Sequence, residues 1–101
     1  MKRRIVWGKQ AGADYLAQLA YIAEDNPANA DLVDLRIVTA IEKLAERPIG
    51  RVGRVEGTYE KSVAKTSLII AYLLEDDTIH IIRIIHAKRN WPEGEWPKAD
   101  D

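Results

Sequence analysis

Leu68-Ile69-Ile70-Ala71-Tyr72-Leu73-Leu74 is followed by Glu75-Asp76-Asp77-Thr78 and then by Ile79-His80-Ile81-Ile82-Arg83-Ile84-Ile85-His86. The two outer stretches are apolar, rich in β-branched residues and of strand length, and the acidic tetrad between them reads as a hairpin turn. Regular alternation along the later strand places Ile79, Ile81 and Ile85 on one face with Arg83. Ile82 and Ile84 then point the other way with His80 and His86. Both faces are apolar, so both need cover. One layer of helices covers a single face. The opposite face is then a groove that a partner fills, or a surface closed by loops and the C-terminal tail.

Upstream, Tyr59–Ala64 reads as another strand. Residues 49–58 carry Gly50, Gly53 and Gly57, cannot sustain a helix and read as loop passing into strand. The preceding segments have helical periods. Tyr15, Leu16, Leu19, Ile22 and Ala23 recur at spacings of three and four, with Asp14, Gln18, Glu24 and Asp25 mainly elsewhere. Val33, Ile37, Ala40, Ile41 and Leu44 form a second stripe. Asn26-Pro27 stops the first helix and starts the next, because proline disfavours helix at the residue before it, suits the first helical turn, and Asn26 caps that turn. Arg47-Pro48 ends the second helix. Arg4-Ile5-Val6-Trp7, closed by Gly8, reads as an opening strand. The expected fold class is α+β in the order β-α-α-β-β-β: a helical hairpin packed on one face of a mostly antiparallel four-stranded sheet. Residues 1–101 make one domain, with 87–101 as a C-terminal tail holding Trp91, Pro92, Trp96 and Pro97.

Composition agrees with one compact core. The chain has 101 residues, 47% of them hydrophobic and 31% charged, and folding at this length buries roughly two-thirds of the surface the unfolded chain exposes. The longest apolar run, Leu68–Leu74, is far short of a bilayer span. Met1-Lys2-Arg3-Arg4 opens like a signal peptide, but the apolar stretch ends at Trp7, so no export signal is expected. There is no cysteine, which excludes a disulfide framework, a thiolate zinc site and a cysteine nucleophile and fits a reducing cytoplasm. Net charge is −1, too little to hold the whole molecule on nucleic acid or an anionic membrane. The charges are segregated, however: residues 1–9 carry +4, 10–34 carry −5, 50–66 carry +2 and 83–92 carry +3.

Individual motifs narrow the chemistry. Gly50, Gly53 and Gly57 match neither the phosphate-loop nor the dinucleotide spacing, and they follow a helix instead of a strand. His80 and His86, six residues apart on one strand, are separated by about 20 Å and cannot share a metal. Neither a metal nor a cofactor is expected. His80 reads as a packed or solvated side chain, whereas His86 stands beside Lys88 and Arg89, a setting for proton exchange next to an anion. Arg83, flanked by Ile81 and Ile85, must have a partner, because burying an unpaired guanidinium is very costly. That partner is an internal carboxylate such as Glu60, or a phosphate or acidic protein segment in the open groove. Arg51, Arg54, Lys61, Lys65, Lys88 and Arg89 form either a basic patch with it or a scattered solvated face.

With these elements in order, the chain resembles the RelE/ParE superfamily, the toxin halves of bacterial type II toxin–antitoxin pairs. The resemblance covers nearly all of it. It rests on Gly53-Arg54-Val55-Glu56-Gly57-Thr58-Tyr59-Glu60, Ile69-Ile70-Ala71-Tyr72 and Ile82-Arg83-Ile84-Ile85-His86-Ala87-Lys88-Arg89-Asn90-Trp91-Pro92. Tyr21-Ile22-Ala23-Glu24-Asp25-Asn26-Pro27 and Leu44-Ala45-Glu46-Arg47-Pro48 match in the helices. Tyr59 departs from the arginine common in this kind of toxin, and Leu68 from a common aromatic residue, both near the expected groove.

The resemblance implies a cytoplasmic growth inhibitor held inactive in a hetero-oligomer with a cognate antitoxin, ParD-like or RelB-like. A ParE-like member poisons DNA gyrase without chemistry of its own. A RelE-like member cleaves messenger RNA on the ribosome, for which Arg54, Arg83 and His86 are the candidate catalytic residues. Arg54, Glu60, Ile81, Arg83, Arg89 and Trp91 are the candidate partner-binding residues. Docking among ribosomal RNA favours a strongly basic protein, and a net charge of −1 with a pI of about 6.1 tips the balance toward the ParE-like branch. An inactivated toxin that only binds antitoxin is the third reading.

Overall fold

A computed structural model describes residues 2–48 and 50–87. Strand β1 (Arg4–Trp7) leads into helix α1 (Lys9–Asp25) and helix α2 (Pro27–Glu46), followed by strands β2 (Arg51–Val52), β3 (Tyr59–Ser62), β4 (Leu68–Glu75) and β5 (Thr78–His86). The strands form one sheet in the order β1-β5-β4-β3-β2. The β1–β5 pairing is parallel and the others are antiparallel. The fold is thus the expected α+β hairpin on a mostly antiparallel sheet, with five strands instead of four. The additional strand lies inside the glycine-flanked loop and has two residues, Arg51 and Val52, paired with Glu60 and Tyr59. So short a strand has no period for a sequence to display.

Asn26 serves both helices. Its backbone N–H donates to Ile22 O at 3.0 Å, ending α1. Its side chain accepts from Asn29 N at 3.0 Å, and Pro27 occupies the first turn of α2. The α2 stripe Val33, Ile37, Ala40, Ile41 and Leu44 is buried as expected. In α1 only Ala11 is fully buried; Tyr15, Leu19 and Ile22 pack at the core's margin, and Leu16 points into solvent. Between the helices and the sheet the core is made by these residues with Leu68, Ile70 and Tyr72 of β4 and Ile79, Ile81 and Ile84 of β5. No residue of β3 joins it.

The β4–β5 ladder is not regular. Ala71 pairs with Arg83 but Tyr72 pairs with Ile81, so Ile82 is an extra residue, a bulge. The alternation expected from sequence therefore breaks there. Ile81 and Arg83, read as neighbours on one face, lie on opposite faces, and Ile84 joins Ile79 and Ile81 toward the helices. Ile69, Ala71 and Ile85 face away from the helices and are buried as well. Of the two readings of that face, a groove left for a partner and a surface closed by the chain itself, the burial of these three residues agrees with the second. Alternation identifies a face that must be covered; it does not say whether the chain itself supplies the cover. None of the described helices is long and apolar enough to cross a membrane.

Candidate functional site

A row of charged residues crosses the sheet on the face away from the helices. Register links Arg51 to Glu60, Glu60 to Ala71 and Ala71 to Arg83, so the four residues share one face across β2, β3, β4 and β5. Ala71 at the middle leaves an ion pair on each side.

At the β5 end, β1 stops opposite Ile81 and Gly8 N donates to Ile81 O at 2.8 Å, after which the chain turns into α1. The remaining edge of β5 is taken by Asp14 of α1. Its Oδ2 accepts from Ile84 N at 3.0 Å and from Arg83 Nε at 2.7 Å, and its Oδ1 accepts from an Arg83 terminal nitrogen at 3.0 Å. One carboxylate thus caps a strand edge and grips a guanidinium at two points. The Arg83 and Asp14 side chains are 8% and 10% exposed. Arg83 does need a partner, as its flanking isoleucines imply. The internal carboxylate it meets is Asp14 in place of Glu60, a residue that helical spacing placed off the apolar stripe of α1. No local signal marks it, because it lies 69 residues from Arg83.

At the other end Glu60, 3% exposed, is the hub. Its Oε2 accepts from Arg54 N at 2.8 Å and Arg54 Nε at 3.0 Å, and its Oε1 accepts from Arg54 and Arg51 terminal nitrogens, each at 3.4 Å. Arg51 also donates to Ser62 Oγ at 3.1 Å. Burial pushes the Glu60 pKa up. The hydrogen bonds from Arg54, with the charges of Arg54 and Arg51, outweigh that and hold the carboxyl below its ordinary range.

His86 is exposed and pairs with Leu68, on the helix side of the sheet. There it lines a hollow of about 280 Å³ with Tyr21, Asn29, Arg36 and Lys65. Arg83 and His86 are on opposite faces, as regular alternation over 83–86 requires, and the turn that would bring the imidazole round to Arg83 is not made within β5. Ile81 is completely buried in the core and offers a partner no surface; its placement beside Arg83 assumed a ladder without the bulge. Tyr59 and Leu68 are also on the helix side, away from the ionic row. Tyr59 stacks on Tyr72 with ring centroids 5.7 Å apart, and Leu68 packs in the core. Burial and the neighbouring Tyr59 raise the Tyr72 pKa. Of the remaining candidates, Arg89 and Trp91, with Lys88, lie outside the described residues. His80 Nε2 is 3.5 Å from Glu75 Oε1. Among the described residues no group of three His, Cys, Asp or Glu side chains is placed to hold a metal ion.

This geometry defines a small α+β domain with a buried ionic row across its sheet, and comparison with known proteins names its kind. Residues 5–91 match the family described as the ParE toxin of the type II toxin–antitoxin system parDE. Y4kP of Sinorhizobium fredii is 38% identical over 93 residues, covering 91% of this chain and 96% of its own. Toxin RelE2 of Caulobacter vibrioides is 37% identical over 87 residues, covering 85% and 97%. Among solved structures, the fold is shared with a chain of the chromosomal ParDE toxin–antitoxin system from P. aeruginosa, with a TM-score of 0.78 at 20% identity over 86% of this chain and 98% of that one. The chain belongs to the ParE toxin family of type II toxin–antitoxin systems.

Proposed function

We propose that this toxin arrests growth in the cytoplasm by binding DNA gyrase, as the ParE-like resemblance implies, and that a cognate antitoxin restrains it. The observation that carries this reading is the separation of the groups a ribonuclease would need. Cleavage through a 2′-hydroxyl requires a base, an acid and a cation around one phosphate. Arg83 is gripped by Asp14 at two points, Arg54 is held by Glu60, and His86 stands on the other face of the sheet. A net charge of −1 adds to the case against docking in ribosomal RNA. Inhibition through protein contacts asks for none of that chemistry.

Purified chain added to a gyrase supercoiling reaction should inhibit it or trap cleaved DNA. Induction in cells without the antitoxin should cause filamentation and DNA damage while transcripts stay intact. His86→Gln should remain toxic, since no proton moves. Codon-positioned cuts in primer extension before replication stops, together with a folded but harmless His86→Gln, would overturn the reading in favour of messenger RNA cleavage. A folded chain harmless in both assays would leave only antitoxin binding.

A further inference from the structure

The hollow beside His86 is built by elements far apart in sequence. The turn after β3 is closed on itself: Thr66 N and Oγ1 donate to Val63 O at 3.2 and 2.8 Å, and Thr66 Oγ1 accepts from Leu68 N at 3.0 Å. Lys65 stands in that turn at φ 60°, in the left-handed region. Arg36 of α2 reaches the same turn, its Nη1 3.5 Å from Lys65 O. Ala87 N donates to Ser67 O at 2.7 Å, which holds the end of β5, and His86 with it, against the turn. The space left between them and the facing turns of α1 and α2 is about 280 Å³, near the lower end of small-ligand sites, roughly 300–1,000 Å³. Arg36, Lys65 and His86 line it together with Ile22, Val33 and Leu68, and no carboxylate is among the described lining residues. The chain has 16 acidic residues against 15 basic ones, yet here two cations and an imidazole share a hollow that no acid lines. Their mutual repulsion is relieved by an anion placed between them. Tyr21 lines the same hollow and is 73% exposed, an aromatic face left in water.

We propose that this hollow binds a small phosphomonoester that carries a flat ring, of the nucleoside monophosphate kind. The phosphate meets Arg36, Lys65 and His86, and the ring lies on Tyr21. A guanidinium takes two phosphate oxygens at once and an ammonium a third, while Asn29 and Ser67 add polar groups beside them. Stacking on a tyrosine suits any base, since every base has a π face. A longer polyanion fits worse, because Glu24, Asp25 and Asp31 are exposed on the same stretches of α1 and α2 and repel phosphates that continue past the hollow. The ligand is held, and no bond of it is broken. The site is on the opposite face of the sheet from the row of Arg51, Glu60 and Arg83, and it is independent of which target the toxin strikes.

The test titrates the full, isotope-labelled chain by NMR with four probes: adenosine monophosphate, adenosine, inorganic phosphate and a short DNA single strand. Variants are Arg36→Gln, Tyr21→Ala and Lys65→Asn, the last because asparagine tolerates the left-handed conformation. Lys9→Glu, exposed at the start of α1, is a charge reversal outside the hollow, and circular dichroism checks folding. Adenosine monophosphate should shift the amides of Gln18, Asn29, Thr66 and Ser67. It should bind roughly tenfold or more tighter than adenosine or phosphate alone, since one ligand then joins both contacts. Arg36→Gln and Lys65→Asn should each weaken both the monophosphate and inorganic phosphate by roughly fivefold or more. Tyr21→Ala should weaken the monophosphate and leave inorganic phosphate unchanged, and Lys9→Glu should bind as the wild type does. Absence of shifts at millimolar ligand, or shifts that survive both charge variants, overturns the site. Inorganic phosphate binding as tightly as the monophosphate, with Tyr21→Ala silent, overturns the flat-ring ligand. A single strand that binds more tightly than the monophosphate through Arg36 and Lys65 overturns the proposal in favour of nucleic acid.

Discussion

Arg83 and Asp14 have both left water, so removing either one strands a charge in the interior. Asp14→Asn or Arg83→Ala should each cost about 3–5 kcal/mol of unfolding free energy, whereas replacing the two together by aliphatic residues should recover most of it. Urea unfolding curves check this, and an unchanged midpoint in Arg83→Ala would mean that the pair is not buried in solution. Glu60 makes a prediction in pH. Its folded pKa lies below the ordinary 4.5, so below that value the unfolded chain binds more protons. Stability from this group is intact above about pH 4.5 and is lost as pH falls through the folded value. Glu60→Gln should flatten the acid limb of a stability profile. Tyr15 acts at the other extreme. Its hydroxyl donates to Asp34, and that bond, with burial and the Asp34 charge, pushes its pKa up to about 12. The folded state keeps a proton that the unfolded state loses first, so stability should fall from the ordinary tyrosine value of 10 toward 12, and Tyr15→Phe should lessen the fall.

At the scale of elements, Gly50 shows how closely the loop before β2 approaches the sheet. A Cβ there would stand 2.7 Å from the Glu60 carbonyl and against the Tyr72 hydroxyl. Gly50→Ala should therefore cost about 1–3 kcal/mol as local overpacking, measurable in thermal melts. What was legible in the sequence follows the length of each pattern. The helices announced themselves through stripes such as Val33, Ile37, Ala40, Ile41 and Leu44, and through Asn26-Pro27, where one side chain's chemistry decides two boundaries. The hairpin of β4 and β5 was legible from its isoleucines. The two-residue β2 and the bulge at Ile82 were not, because both depend on what lies across the ladder. That bulge decided the site: it separates Ile81 from Arg83, and a strand read alone cannot reveal it. The need of Arg83 for a carboxylate could be read from its neighbours, but its identity depended on Asp14 meeting β5 through the tertiary fold.

The whole molecule carries almost no net charge, yet its charges are segregated along the sequence, and an antitoxin whose charge complements one of the cationic stretches gains encounter rate from it. Such a partner should also raise the toxin's resistance to heat, by about 2.7 kcal/mol when present at a hundred times its Kd. A melt of the complex against the isolated chain measures this, and added salt should slow association more than it speeds release. The parallel pairing of β1 with β5 has a consequence in time. Arg4 finds its register partner only at Thr78, and Asp14 has no guanidinium to grip until Arg83 has been made. On a ribosome adding roughly 5–20 residues each second, the first strand and first helix wait several seconds for the last strand. A half-made copy therefore lacks both the β1–β5 pairing and the Asp14–Arg83 grip, and the fold closes only near the end of its own synthesis.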